Sequence, residues 1–161
     1  MAQYDYKQIV DKLGLSAHPE GGFYKEMYRS KTSVHNDAGD ARSAGTAIYF
    51  LLPAQVCTNW HRVSSDELWH FYHGDKLILE IIDADGQFKQ LSLADEIEAE
   101  GSYQALVPQN CWQRAYSTGR YSLVGCTVSP GFEFEDFEMI EQDELVEQYP
   151  NIAGSITNVP F

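Results

Sequence analysis

From residue 47 to residue 129 the chain is a succession of short strand-like runs, each closed by a turn signal, and this rhythm narrows the fold more than any other feature. The runs cover residues 47–52, 57–63, 67–72, 76–83, 88–93, 104–107, 111–116 and 121–129. Between them stand Pro53, Ser64-Ser65-Asp66, His73-Gly74-Asp75, Asp83-Ala84-Asp85-Gly86, Pro108-Gln109-Asn110 and Ser117-Thr118-Gly119. Short strands at even spacing with turn residues between them are the pattern of an all-β sandwich or barrel. Ahead of this block, Tyr6, Ile9, Val10 and Leu13 recur at helical spacing before Gly14, which predicts a short N-terminal helix with a glycine stop. The stretch 17–22 (AHPEGG) breaks any regular element and reads as a structural turn, the lesser alternative being that His18 or Glu20 reaches a pocket. Residues 23–30 alternate as a strand, with Tyr24, Glu26, Tyr28 and Ser30 on one side. The polar stretch 32–46 reads as a loop, and 94–101 as a helical turn or a loop. Residues 142–149, before Pro150, suit a short C-terminal helix.

No repeat or linker interrupts the pattern, and 161 residues is the size of one ordinary domain, so a single domain over 1–161 is expected. At 43% apolar residues there is enough material for a core. A net charge of −13 repels phosphate backbones and anionic lipid heads, so neither nucleic acid nor a membrane surface is an expected partner. The apolar run at 47–54 is too short to cross a bilayer, and the N-terminus has no signal-peptide pattern. Cys57, Cys111 and Cys126 lie far apart and form no CxxC pair, which fits unpaired thiols in the cytoplasm.

The densest group of functional side chains lies at 59–74 (NWHRVSSDELWHFYHG). Alternation puts Asn59, His61 and Val63 on one face of a strand. A hairpin at 64–66 would let Glu67, Trp69 and Phe71 face the same space, with His70 and Tyr72 turned away. By alternation alone these residues can be either core aromatics or the wall of a pocket.

His61, Glu67 six positions on and Gly74 seven beyond that resemble the first motif of the cupin superfamily. The stretch 101–113 is similar to the second motif, with Pro108 in the place of its proline and Gln113 in the place of its histidine. Four longer stretches resemble one cupin subfamily known as a domain of unknown function: HPEGGFYKEMYRS (18–30), WHRVSSDELWHFYHGD (60–75), LVPQNCWQ (106–113) and LVGCTVSPGFEFEDFEM (123–139). The resemblance implies a double-stranded β-helix, the cupin jelly-roll barrel, with a ligand pocket in its mouth and assembly as a homodimer.

In metal-binding cupins two histidines and the glutamate of the first motif hold the ion together with the second-motif histidine. Here His61 and Glu67 keep their places, but Val63 and Gln113 occupy the other two. Valine cannot donate and a glutamine carbonyl is a weak donor, so no metal and no other cofactor is expected. His70 and His73 are too far along the hairpin to replace them.

Without metal, His61 and Glu67 form a candidate acid–base pair. Burial would lower the histidine's pKa and the carboxylate would raise it. Asn59, Trp69, Phe71, Gln113 and Tyr28 are the further candidate ligand contacts, with Tyr28, Tyr49 or Tyr116 as a possible acid. The stretch 129–134 reads as a covering flap or a dimer contact. The expected activity is binding of a small polar, sugar-like molecule, with isomerisation or epimerisation of it. The alternatives are a non-catalytic binding or storage cupin and, less favoured, a metal-dependent dioxygenase.

Overall fold

A computed structural model describes residues 4–95, 101–159 and 161, so the stretch expected to be a helical turn or loop lies largely outside the described residues. The N-terminal helix α1 (Tyr6–Leu13) starts at Asp5, whose carboxylate accepts from the Lys7 N–H, and ends at Gly14 in the left-handed conformation. Strands β1 (Ser16–Ala17), β2 (Phe23–Arg29), β3 (Ser33–His35), β4 (Ala41–Ser43) and β5 (Thr46–Pro53) follow. Next come β6 (His61–Val63), β7 (Asp66–Gly74), β8 (Leu77–Ile82), β9 (Phe88–Leu93) and β10 (Gly101–Ser102). The last strands are β11 (Gln104–Val107), β12 (Trp112–Ser117), β13 (Tyr121–Ser129) and β14 (Phe137–Met139). Helices α2 (Gln142–Gln148) and α3 (Ala153–Thr157) close the chain.

The strands form two six-stranded sheets, ordered β1-β2-β5-β13-β7-β11 and β10-β9-β8-β12-β6-β14. This is the all-β jelly roll expected, with its short terminal helices, although among the described residues no ladder joins the two sheets into a closed barrel. Two expectations are corrected. The stretch 32–46 is not a plain loop, since β3 and β4 pair within it as a hairpin. The strand expected from residue 57 pairs only from His61 onward, apart from a single bridge between Cys57 and Tyr116.

Inward-facing residues cross the first sheet in rows fixed by register: Thr46, Val128 and Glu67; Ile48, Cys126 and Trp69; Phe50, Val124 and Phe71. Phe50, Trp69, Phe71 and Val124 pack against Leu77, Leu79, Ile81 and Ala115 of the second sheet, and this dry layer fills most of the space between the sheets. The row ending at Glu67 lies beyond it, and there the sheets part around a cavity.

Helices cover part of each outer face. On the first sheet α1 lays Tyr6, Ile9, Val10 and Leu13 over Leu51 and Tyr121. On the second, Leu145 of α2 and Ile156 of α3 pack on Trp60, Ile82 and Trp112. Arg114, on the outward side of β12, donates to Glu80 at 2.5 Å and to the carbonyls of Ser155, Ile156 and Asn158. That buried guanidinium ties α3 to the sheet and leaves its neighbour Gln113 pointing inward.

Candidate functional site

The cavity has a volume of about 40 Å³, room for a few water-sized groups, and its walls are mainly apolar. His61 and Glu67 line it, as the sequence reading expected. Glu20, which that reading left in a structural turn, lines it too and is the closest partner of His61.

The turn that carries Glu20 is built by two glycines. Gly21 and Gly22 have φ of 106° and 76°, conformations that L side chains resist, and a Cβ on Gly22 would come within 2.7 Å of the Leu51 carbonyl. Hydrogen bonds from His18 N–H to the Gly22 carbonyl and from Gly21 N–H to the His18 carbonyl close the turn. Asn59 N–H then donates to the Glu20 carbonyl at 2.9 Å, which fastens the turn to the approach of β6.

Hydrogen bonds assign the protons. His61 Nδ1 lies 2.8 Å from the Asn59 carbonyl, which only accepts, so Nδ1 carries hydrogen. His61 Nε2 lies 2.9 Å from Glu20 Oε2, and the hydrogen between them makes an imidazolium–carboxylate pair. Burial alone would lower the His61 pKa. The charge and hydrogen bond of Glu20, the Asn59 carbonyl and the charge of Glu67 overcome it and push the value up to about 9. His18 differs: its Nδ1 accepts from the Glu20 N–H at 3.2 Å, so the ring is neutral. Burial pushes its pKa down, the charge of His61 adds to that, and Glu20 opposes it.

Glu67 sits at the far end of a second chain of bonds. Trp69 Nε1 donates to Gln113 Oε1 at 3.0 Å, and Gln113 Nε2 donates to Glu67 Oε2 at 2.6 Å. Burial and the nearby Glu20 charge push the Glu67 pKa up, against the lowering pull of His61, Gln113 and Cys126. Cys126 is held as a neutral thiol by burial and by the charges of Glu67 and Glu20. The cavity thus contains one fixed ion pair and one carboxyl group whose proton is easily held.

A cover closes this end of the molecule. After β13 the chain leaves the first sheet and rejoins the second at β14, where Phe137 pairs with Val63 and Met139 with His61. Phe132 and Phe137 line the cavity from this strap, while Phe134 packs 6.2 Å from the His18 ring. Two arginines hold the strap. Arg29 donates to Glu133 at 2.6 Å and to the Phe132 carbonyl at 2.9 Å, and Arg42 grips Asp136 with bonds of 2.7 and 2.9 Å. Phe132 and Phe137 thus cover the cavity as a flap would.

The remaining candidates fall elsewhere. Gln113 is buried behind Glu67 and orients it from outside the cavity. Trp69 and Phe71 face inward but belong to the core below. Asn59 contributes its carbonyl to His61, while its side-chain amide reaches the Met139 sulfur at 3.8 Å. Tyr28 is corrected outright: it is 57% exposed. A register shift between Glu26 and Tyr28 makes Met27 an extra residue, so Tyr28 pairs with Ala47 on the outward parity. Tyr49 packs against Tyr72 on the outer face, and Tyr116 lies beside the outward Glu80 and Arg114. The tyrosine at the cavity is Tyr24, packed edge-on to His18 with ring centroids 4.6 Å apart.

A metal does not fit these donors as they stand. Both His61 nitrogens and both polar atoms of the Gln113 amide are engaged by neighbouring groups. Val63 lines the cavity with no donor, and among the described residues no group of three or more His, Cys, Asp or Glu side chains is arranged to hold an ion.

A family model described as "Cupin superfamily (DUF985)" matches residues 7–140. The uncharacterised protein YML079W of Saccharomyces cerevisiae is 26% identical over 156 residues, which is 86% of this chain and 77% of the relative. A hypothetical protein from Leishmania major is 34% identical, with a TM-score of 0.89 over 95% of this chain and 97% of that one. A protein from Shewanella oneidensis is 34% identical, with a TM-score of 0.87 over 96% of both chains. A dTDP sugar isomerase from Desulfovibrio desulfuricans shares the fold at 16% identity and a TM-score of 0.54, over 76% of this chain and 83% of that one. An oxalate decarboxylase from Bacillus subtilis shares it at 11% identity and a TM-score of 0.57, over 89% of this chain and 36% of that one.

Proposed function

The chain belongs to the cupin superfamily, in the family DUF985, and from that premise we propose that its cavity binds a small sugar-like hydroxy-carbonyl compound and moves a proton beside the carbonyl. The observation that carries this reading is the pairing of opposites around His61. The imidazolium is fixed by Asn59 and Glu20, and Glu67 is a carboxyl group with a raised pKa facing the same space. A raised carboxyl pKa suits a group that must take and return a proton near neutral pH.

In the step proposed, the Glu67 carboxylate takes the proton from the carbon beside the carbonyl. The C–H electron pair shifts toward the carbonyl oxygen, and the His61 charge stabilises the resulting enolate in a site of low dielectric. The neighbouring hydroxyl then passes its proton to the former carbonyl oxygen and becomes the new carbonyl, while Glu67 returns its proton to the former carbonyl carbon, giving the isomer. A dTDP sugar isomerase is among the proteins of this fold, which supports a sugar-like ligand. The second reading is a binding module without turnover, favoured by the small cavity and by the complete internal satisfaction of His61.

The test is proton exchange in D2O, followed by NMR, with a panel of aldoses, keto-sugars and sugar nucleotides. Deuterium entering beside the carbonyl, and lost in Glu67→Gln, is the expected result. A panel member that binds without any exchange would replace the enzyme reading by the binding module.

The proposal extends to assembly and place: a homodimer in the cytoplasm, with neither nucleic acid nor membrane as partner. Tyr28, Tyr72 and Leu106, all about half exposed, give the first sheet an apolar outer surface that a second copy could cover. Among the described residues no helix is long and apolar enough to cross a membrane. Light scattering that returns the 18.2 kDa mass of one chain at micromolar concentration would overturn the dimer.

A further inference from the structure

The cavity around His61 and Glu67 shares part of its wall with a second space. Tyr24, Thr46, Ile48 and Phe132 line it on one side and line a second, outer cleft of about 270 Å³ on the other. The inner space of about 40 Å³ accommodates only a reacting head group, far below the ~300–1,000 Å³ of ordinary small-molecule sites. The two spaces together reach the lower end of that range. We infer that the outer cleft is a second subsite, which holds a neutral polyhydroxylated segment of the molecule whose carbonyl end reaches the inner cavity; this rests on the proton-transfer reading above.

The chemistry of the cleft selects that class. Its charged residues are Lys25, Arg29, Glu26 and Glu133, two cations balanced by two anions. Arg29 donates to Glu26 at 2.7 Å, to Glu133 at 2.6 Å and to the Phe132 carbonyl at 2.9 Å, which leaves two of the five guanidinium N–H groups unspent. Lys25 donates once, to the Leu13 carbonyl at 3.1 Å, and keeps further N–H groups of its own. The Glu26 and Glu133 carboxylates retain lone pairs. Hydroxyl groups both donate and accept, so a polyol matches donors and acceptors at once. An anionic segment would meet two carboxylates, and a cationic one would meet Lys25 and Arg29. A purely apolar segment would strip water from all four charges without replacing it. Phe134, half exposed on the strap, and Tyr24 add flat apolar faces beside these polar groups. Arg29 is the specificity-determining residue, because it bonds to the strap at Glu133 and Phe132, to Glu26 of the cleft wall, and lines the unfilled space.

The experiment is an amide-shift NMR titration of the whole protein with methyl glucoside, gluconate and choline as neutral, anionic and cationic probes. Methyl glucoside is expected to shift amides of Lys25, Glu26 and Phe132–Phe134 more than either charged probe. Arg29→Lys and Ser16→Trp should each weaken that binding at least about tenfold, the first by losing charged donors and the second by filling the cleft. Ser16→Trp leaves the Arg29 bonds intact, so its effect is separate from any loosening of the strap. Glu67→Gln, which removes the inner proton carrier, should leave the cleft shifts in place. Cleft shifts that are larger for gluconate or choline, absent for all three probes, or unchanged by Ser16→Trp would overturn the subsite. Failure of the D2O exchange with the cleft shifts intact would instead remove only the catalytic reading.

Discussion

Glu20 Oε2 and His61 Nε2 lie 2.9 Å apart, one on a glycine-built turn leading into the first sheet and the other on a strand of the second. Both side chains are almost fully buried, and Asn59 meets both residues: its N–H donates to the Glu20 backbone carbonyl and its own carbonyl accepts from the His61 ring. The contact therefore fixes the charge state of the cavity and ties the two sheets together at its rim.

Glu20→Gln should lower the His61 pKa clearly from about 9. The amide keeps the shape but removes the charge that opposes burial. A titration of the His61 ring signals by NMR checks this. A midpoint that stays near 9 would show that Glu20 is not the dominant partner.

Stability should fall as pH rises from about 6 to 9.5. His61 titrates at 6.5 when unfolded and at about 9 when folded, so its contribution is complete below 6.5 and is lost as pH climbs through 9. At about 1.4 kcal/mol per pKa unit the loss is on the order of 3 kcal/mol. Glu67, whose pKa is raised in the fold, works in the same direction: its contribution begins to fade above 4.5. Asp136, held low by Arg42, acts oppositely and costs stability only as pH drops below 3.8. Thermal melts across this range should slope downward toward high pH, and the slope should flatten in Glu20→Gln. Parallel slopes in the two proteins would contradict the assignment.

Gln113→Leu should destabilise the protein by about 1–3 kcal/mol, because it strands a buried indole N–H and a buried carboxyl group at once. It should also raise the Glu67 pKa further, since the Gln113 hydrogen bond is one of the groups holding it down. Chemical denaturation measures the first effect. An unchanged midpoint would mean that water or a repacked side chain replaces the amide.

Purified protein should hold well under one transition-metal ion per chain, and dialysis against a chelator should leave its melting temperature unchanged. The donors that could bind a metal are spent on Glu20, Asn59, Trp69 and Glu67. Elemental analysis that finds close to one Fe, Mn, Ni or Zn per chain after chelation would reverse this.

Much of the fold was legible because it rests on local rules. Strand alternation and turn residues placed β7, β9, β11 and β13 within a residue or two, and the helical spacing of Tyr6, Ile9, Val10 and Leu13 with the stop at Gly14 placed α1. The inward parity of Glu67, Trp69 and Phe71 was equally readable, since a strand has only two faces. Which inward residue lines a cavity and which fills the core was not readable. That depends on how far the facing sheet stands off, and only the row at Glu67 lies where the sheets part. Tyr28 failed for a local reason that leaves no plain mark in the sequence: one extra residue at Met27 reverses parity for everything after it. Glu20 was readable only as the lesser alternative, for the opposite reason. A carboxylate in a glycine turn is ordinarily solvated, and only the docking of that turn on Asn59 aims it at His61. Short-range geometry was thus set by the order of residues, whereas the charge of His61 arises from a long-range contact that exists only once the two sheets have closed on each other.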